Sequence, residues 1–198
     1  MEERCGYTGK ILWIDLNERS FQFEERDDSF WRIFVGGGLA GTKLLIERTP
    51  KGIDPLGSEN PLIFASSVIG GHYGAGLPKF VTVAKSPLTN GIGETRAVGP
   101  FGTALKETGA DAIVVLGQSK NPVMLVIGYN RVDFLDAKEV WGRTVGDTAD
   151  YIQNLHGKHV HTAVIGPAGE NLVRYASIVT DRTYQVPRMG MGAARGGR

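Results

Sequence analysis

Apolar residues recur along this chain with two periods, and the switches between them lay out its elements. Lys10-Ile11-Leu12-Trp13-Ile14-Asp15-Leu16 is β-rich, Asn17-Glu18-Arg19-Ser20 has turn chemistry, and Phe21-Gln22-Phe23-Glu24 alternates, which predicts a hairpin. The next apolar stretch, Phe30 to Val35, is interrupted by Gly36-Gly37-Gly38. Between Leu39 and Arg48 the pairs Ala40/Leu44 and Gly41/Leu45 lie one turn apart, the spacing of a short helix with one buried face. Residues 49–61 carry Pro50, Gly52, Pro55, Gly57 and Pro61 and read as a loop. Leu62-Ile63-Phe64-Ala65 predicts a strand apolar on both faces, residues 70–78 a glycine loop, Lys79 to Ala84 a strand and Ala112 to Leu116 another buried strand.

The pattern then starts again. Val123 to Ile127, a turn at Gly128-Tyr129-Asn130 and Arg131 to Phe134 make a second hairpin. Residues 144–155 are helical by period, with Thr144 and Asp147 at N-cap and N3 spacing and Val145, Ala149 and Ile152 on one face. Val160 to Ile165 echoes the strand at Leu62, Gly166-Pro167-Ala168-Gly169 the loop at 70–78, and Val173 to Ile178 the strand at Lys79. Pro187 to Gly192 echoes Val98 to Gly102. The fold class is therefore α+β, an internal duplication of hairpin–helix–strand units spanning about 6–117 and 120–198, argued from element order rather than residue identity. The second copy lacks a last helix and strand, so the expectation is either a piece of a longer polypeptide or a partner that completes it.

One glycine-rich run, Lys85 to Gly102, stands apart. Pro100 and Gly109 bracket a short helix from Phe101, and a glycine-lined loop ending at a helix start can aim N–H groups at an anion, with Arg96 as added charge. The same run also reads as a structural turn. Composition narrows the partners. With 198 residues and a net charge of +1 there is no basic field for nucleic acid or an anionic membrane, so anion binding must be local. No apolar run approaches a membrane span and Met1-Glu2-Glu3-Arg4 is not a signal sequence, which predicts a reducing cytoplasm. Cys5, the only cysteine, excludes a cysteine-ligated cluster built from this chain alone. His72, His156, His159 and His161 make no convincing metal site, although His159-Val160-His161 would put two rings on one strand face.

Several runs carry a family resemblance. They are Gly6-Tyr7-Thr8-Gly9-Lys10-Ile11-Leu12, Asp54-Pro55-Leu56 with Glu59-Asn60-Pro61-Leu62-Ile63-Phe64-Ala65, and Ala84-Lys85-Ser86-Pro87-Leu88-Thr89. Phe101-Gly102-Thr103-Ala104-Leu105-Lys106 and Val164-Ile165-Gly166-Pro167-Ala168-Gly169-Glu170-Asn171-Leu172-Val173 complete the set. In this order they resemble the N-terminal domain of the tungsten-containing aldehyde:ferredoxin oxidoreductase family over essentially the whole chain.

That resemblance implies oxidation of aldehydes to carboxylic acids, with electrons passing through a [4Fe–4S] cluster to ferredoxin. It implies tungsten, or molybdenum, held by two pterins whose phosphates are bridged by Mg2+. The N-terminal domain is then the base on which this cofactor lies, and the cluster cysteines belong to C-terminal domains or to a separate completing subunit. Homo-oligomerisation is left open. Carried onto this sequence, the cofactor contacts are Lys79, then Arg96, Ala97, Val98 and Gly99, then Tyr184, Gln185, Pro187 and Arg188, with no catalytic residue in the chain. Lys79 stands where the family has arginine, keeping the charge but not the bidentate fork. Val98 replaces a family glycine and Pro187 removes an N–H. Asp181-Arg182 reads as structural. The alternative from a different class is a free-standing, non-catalytic module or small subunit for another phosphorylated ligand.

Overall fold

The computed structural model describes residues 6–72 and 79–194. Cys5, the glycines at 74 and 76 and the stretch 195–198 lie outside the described residues. The first half is built on a six-stranded sheet. Hairpin strands β1 (Lys10–Asp15) and β2 (Ser20–Glu25) are followed by helices α1 (Asp28–Phe34) and α2 (Gly37–Arg48), then by β3 (Leu62–Ser66), β4 (Lys79–Lys85) and β5 (Ile92–Val98). Helix α3 (Phe101–Glu107) leads into β6 (Ala112–Leu116). The strand order is β2-β1-β6-β3-β4-β5, with β6 inserted parallel to β1 and antiparallel to β3.

The period-two alternation sorts side chains to the two faces of this sheet. Ile11, Trp13, Ile63, Ala65, Val83 and Val114 pack under α1 and α2 with Phe30, Trp31, Leu44 and Leu45. Leu12, Ile14, Phe64, Phe80, Ala97 and Ile113 form the other core, shared with Val186 and Met191 of the second half. The aromatic segment after residue 27 is a helix because the Asp27 side chain accepts from the Phe30 amide at 3.0 Å as an N-cap. The glycines at the start of α2 are explained by close approach. A Cβ on Gly41 would lie 2.8 Å from Val83 Cγ2, and one on Gly38 2.5 Å from the Glu94 carboxylate.

The second half comprises the hairpin β7 (Val123–Gly128) and β8 (Arg131–Asp136), helix α4 (Val145–His156), β9 (Ala163–Val164), the one-turn α5 (Pro167–Glu170), β10 (Ile178–Thr180) and β11 (Tyr184–Val186). β9, β10 and β11 form an antiparallel sheet separate from β7–β8. Thr144 caps α4 as its spacing predicts, accepting from the Asp147 amide at 3.2 Å. The class is α+β, with both hairpins, α2, α4, β3, β4 and β6 near their predicted positions. Among the described residues no helix is long and apolar enough to cross a membrane.

Four expectations need correcting. The run Lys85 to Gly102 is a tight turn followed by the full strand β5, not one continuous loop. Val173 to Ser177 is turn and coil, its backbone engaged by the Ala176 amide on Val173 O and by the Gly192 amide on Ala176 O. Residues 167–170 are a helical turn where a loop is expected. His159 and His161 do not share a strand, and His161 Nδ1 instead meets Asp181 Oδ1 at 3.2 Å.

The start of β6 is pinned by a buried carboxylate. Asp111 Oδ2 accepts from the Thr8 amide, the Thr8 hydroxyl and the Gly9 amide at 2.8–2.9 Å, while Oδ1 lies 3.1 Å from Lys106 Nζ. Removing one partner of such a buried ion pair costs about 3–5 kcal/mol. Asp111→Ala is therefore expected to lower unfolding stability by about that much in a urea titration. A loss below about 1 kcal/mol would show that the carboxylate does not hold β6 in place.

Candidate functional site

The exposed end of the β4–β5 pair gathers the first group of expected contacts. In register, Lys79 faces Val98, Val81 faces Arg96 and Val83 faces Glu94, so Lys79, Arg96 and Val98 share the helix-bearing face of the sheet. Helix α2 covers that face as far as Val81 and Glu94, where Gly37 and Gly38 approach. Lys79, Arg96 and Val98 lie beyond its first turn and are exposed. Ala97 points the opposite way into the core and offers only its backbone. Arg96 Nε meets Glu94 Oε1 at 3.0 Å. Among the described residues neither Lys79 nor Arg188 makes an ion pair.

The second group comes alongside through long-range packing. Gly99 adopts φ +118°, and a Cβ there would fall 2.7 Å from the ring of Tyr184. At the other end of β5, a Cβ on Gly93 would meet Met191 Cε at 2.7 Å and Met189 Cβ at 3.0 Å. The segment from β11 onward thus runs antiparallel to β5 and packs against it through side chains. Val186 and Met191 are fully buried, whereas Tyr184, Gln185, Pro187 and Arg188 remain exposed. The Lys85-Ser86-Pro87-Leu88-Thr89 run stitches the junction. Ser86 Oγ accepts from the Leu88 and Thr89 amides and donates to Met189 O at 2.8 Å.

The helix α3 start is not the anion site that the glycine pattern predicts. The Gly102 amide donates to Gly99 O, and those of Thr103 and Ala104 to Pro100 O. Gly102 itself answers to packing, since a Cβ there would fall 2.9 Å from Lys79 O. Asp181 and Arg182 are structural as expected: Asp181 Oδ1 accepts from the Thr162 amide, and Arg182 pairs with Asp150 and donates to Gly146 O. An apolar cavity of about 700 Å³ lies on the opposite side of the sheet from Lys79 and Arg96, under Leu62, Phe64 and Leu125. It shares no residue with the cationic face.

Comparison with known proteins gives consistent matches. Residues 11–198 match the family described as "Aldehyde ferredoxin oxidoreductase, N-terminal domain". The tungsten-containing aldehyde ferredoxin oxidoreductase of Pyrococcus horikoshii is 36% identical over 98% of this chain and 32% of its own length. That of Thermococcus kodakarensis is 38% identical over 98% of this chain and 32% of its own length. Among solved structures, the active site complex BamBC of benzoyl coenzyme A reductase, in complex with 1,5-dienoyl-CoA, superposes with a TM-score of 0.93 at 32% identity. It covers 99% of this chain and 30% of its own. The chain thus spans about a third of the length of the curated relatives it matches.

The Gly99–Tyr184 contact is the joint between the two groups. Gly99→Ala combines an unfavourable φ with a clash and is expected to cost more than about 1 kcal/mol. Adding Tyr184→Ala removes the clash but not the strain, so the double variant should recover part of the loss in a urea melt. Purely additive losses would show that the ring does not rest on Gly99.

Proposed function

The chain belongs to the family of aldehyde ferredoxin oxidoreductase N-terminal domains, and on that premise we propose that it is the cofactor-cradling part of a tungsten- or molybdenum-pterin oxidoreductase. The observation that carries the reading is the antiparallel apposition of β5 and the β11 segment, with Arg96 on β5, Lys79 beside it at the start of β4, and Arg188 just past β11. Lys79, Arg96 and Arg188 hold pterin phosphates by charge-assisted hydrogen bonds, and backbone groups of Ala97, Val98, Gly99, Tyr184, Gln185 and Pro187 complete the seat. The residues present fit such a group: Lys79 and Arg188 are exposed and unpaired among the described residues.

The bound metal–pterin group supplies the redox chemistry. This chain binds and orients it and contributes no acid, base or nucleophile. Mg2+ bridging the pterin phosphates, a [4Fe–4S] cluster and ferredoxin as acceptor belong to the same reading, the last two through the remaining two-thirds of a full-length enzyme or a completing subunit. Oxidation of aldehydes in the cytoplasm is the activity it implies. The matched third is shared with a protein named aldehyde ferredoxin oxidoreductase and with one named benzoyl coenzyme A reductase. That sharing supports a role common to both, which is the cofactor rather than the substrate.

The duplication belongs to this proposal. Order and pairing in β7–β8, α4 and β9–β10–β11 parallel those in β1–β2, α1–α2 and β3–β4–β5, over about 6–117 and 120–198. A local twofold between β5 and β11 then presents two equivalent edges to one two-sided ligand. The second reading, a free-standing module for another phosphorylated ligand, draws on Val98, which is 51% exposed at the seat, and on Pro187.

The test is metal analysis and pterin extraction on the full-length native protein, made anaerobically in a host that synthesises the cofactor. Stoichiometric tungsten or molybdenum with pterin is expected. Lys79→Glu with Arg188→Glu should weaken cofactor retention about 10- to 100-fold while leaving the melting temperature of the cofactor-free protein unchanged. A metal- and pterin-free protein, or retention indifferent to both charge reversals, would sink the cradle and leave the module.

A further inference from the structure

Arg96 leaves the sheet with little around it. Its neighbours Thr95 and Ala97 turn into the core, and its own side chain is 77% exposed. A long cation in that setting samples many rotamers, and ordering it on a ligand costs binding energy. Glu94 removes much of that freedom. It stands two residues back on the same face of β5, and its Oε1 accepts from Arg96 Nε at 3.0 Å. Among the described residues each is the other's one ion-pair partner.

Glu94 is itself held in place, which separates this pair from an ordinary surface ion pair. Its side chain is half-buried. A Cβ on Gly38 would fall 2.5 Å from its Oε2, 2.6 Å from Cδ and 2.8 Å from Oε1, so the whole carboxylate rests on the first turn of α2. Gly38 is not among the glycines with positive φ, so its missing side chain answers to this contact and not to a backbone requirement. Helix α2 has Gly36 as N-cap, makes no side-chain cap and carries no acidic residue in its first turn. Its partially positive end favours a carboxylate brought to it from β5.

We infer that Glu94 is a positioning residue for Arg96. With Nε spent on the carboxylate, the two Nη nitrogens are turned outward, where they donate to a phosphate. The ligand then meets a guanidinium that is already ordered. The charge of Glu94 is offset by Arg96 and by the end of α2, so it is not set against the ligand. The inference deepens the phosphate seat proposed above and rests on it.

Inorganic pyrophosphate, titrated calorimetrically into the full-length protein made without cofactor, is the probe. Glu94→Ala is expected to weaken its binding about 3- to 10-fold, the scale of ordering one long side chain. Glu94→Gln keeps an oxygen that accepts from Nε and should bind within about twofold of the unsubstituted protein. Gly38→Ala adds no group to the seat and favours the helix, so it should fold with undiminished stability, displace the carboxylate and weaken binding as Glu94→Ala does. In an Arg96→Ala background neither change should weaken binding further. Tighter binding by Glu94→Ala would overturn the inference and make the carboxylate a competitor of the ligand. A loss that persists without Arg96 would overturn it as a general disturbance of the face. Unchanged affinity in Glu94→Ala would overturn it while leaving the seat standing. Failure of the unsubstituted protein to bind pyrophosphate would instead sink the seat, and the role of Glu94 with it.

Discussion

The architecture depends on the insertion of β6 between β1 and β3. That placement is the only parallel pairing in the six-stranded sheet, and it joins a hairpin from the start of the chain to an antiparallel meander some fifty residues later. Burying Asp111 to pin it is costly unless every lone pair is matched, because a carboxylate loses its hydration on burial. Two amides and one hydroxyl match Oδ2, Lys106 stands 3.1 Å from Oδ1 as its counter-charge, and Lys106 also reaches Gly6 O. Among the described residues of the second half, β7–β8 and β9–β10–β11 form two separate sheets.

Local patterning made the elements on either side of this insertion legible. Turn chemistry and alternation located both hairpins, and the Thr144–Asp147 pair located α4. The strand β5 was not legible, because Ile92-Gly93-Glu94-Thr95-Arg96-Ala97-Val98 is half polar and opens beside glycines. Its inward positions are small for a tertiary reason: Met189, Met191 and Val186 take the space that larger side chains would need. Conversely, Val173 to Ile178 has strand-like composition, but its backbone bonds are spent in a turn and on Gly192. In both cases the deciding partner is distant in sequence, where periodicity carries no information.

The same division runs through the candidate site. The resemblance nominated individual positions, and of these Lys79, Arg96 and Arg188 are all exposed. What joins them was not. The Gly99–Tyr184 contact and the Ser86–Met189 hydrogen bond, the latter across 103 residues, bring the two segments together. A glycine with positive φ is the one local trace of the first contact, and it is indistinguishable in sequence from a glycine needed for a turn.

These contacts also separate what the family motifs say about scaffold from what they say about ligand. Asn60 donates to Pro55 O and Lys85 O and accepts from the Lys85 amide, so its motif fastens the preceding loop to the end of β4. Ser86 fastens the two halves. Glu170 accepts from the Gly142 amide, and a Cβ on Gly169 would fall 2.7 Å from Gly192 O, so the Ile-Gly-Pro-Ala-Gly-Glu-Asn run fastens α5. Each motif residue that is buried spends its polar atoms inside the protein. A match at such residues reports that the scaffold is kept, whatever lies on it. Only the exposed positions, Lys79, Arg96, Val98 and Tyr184 to Arg188 apart from Val186, can report on the occupant, and these are where Val98 and Pro187 depart from the family pattern. On the proposed reading, the scaffold fixes where a ligand would sit, while charge and backbone at a handful of exposed edges would decide what it is.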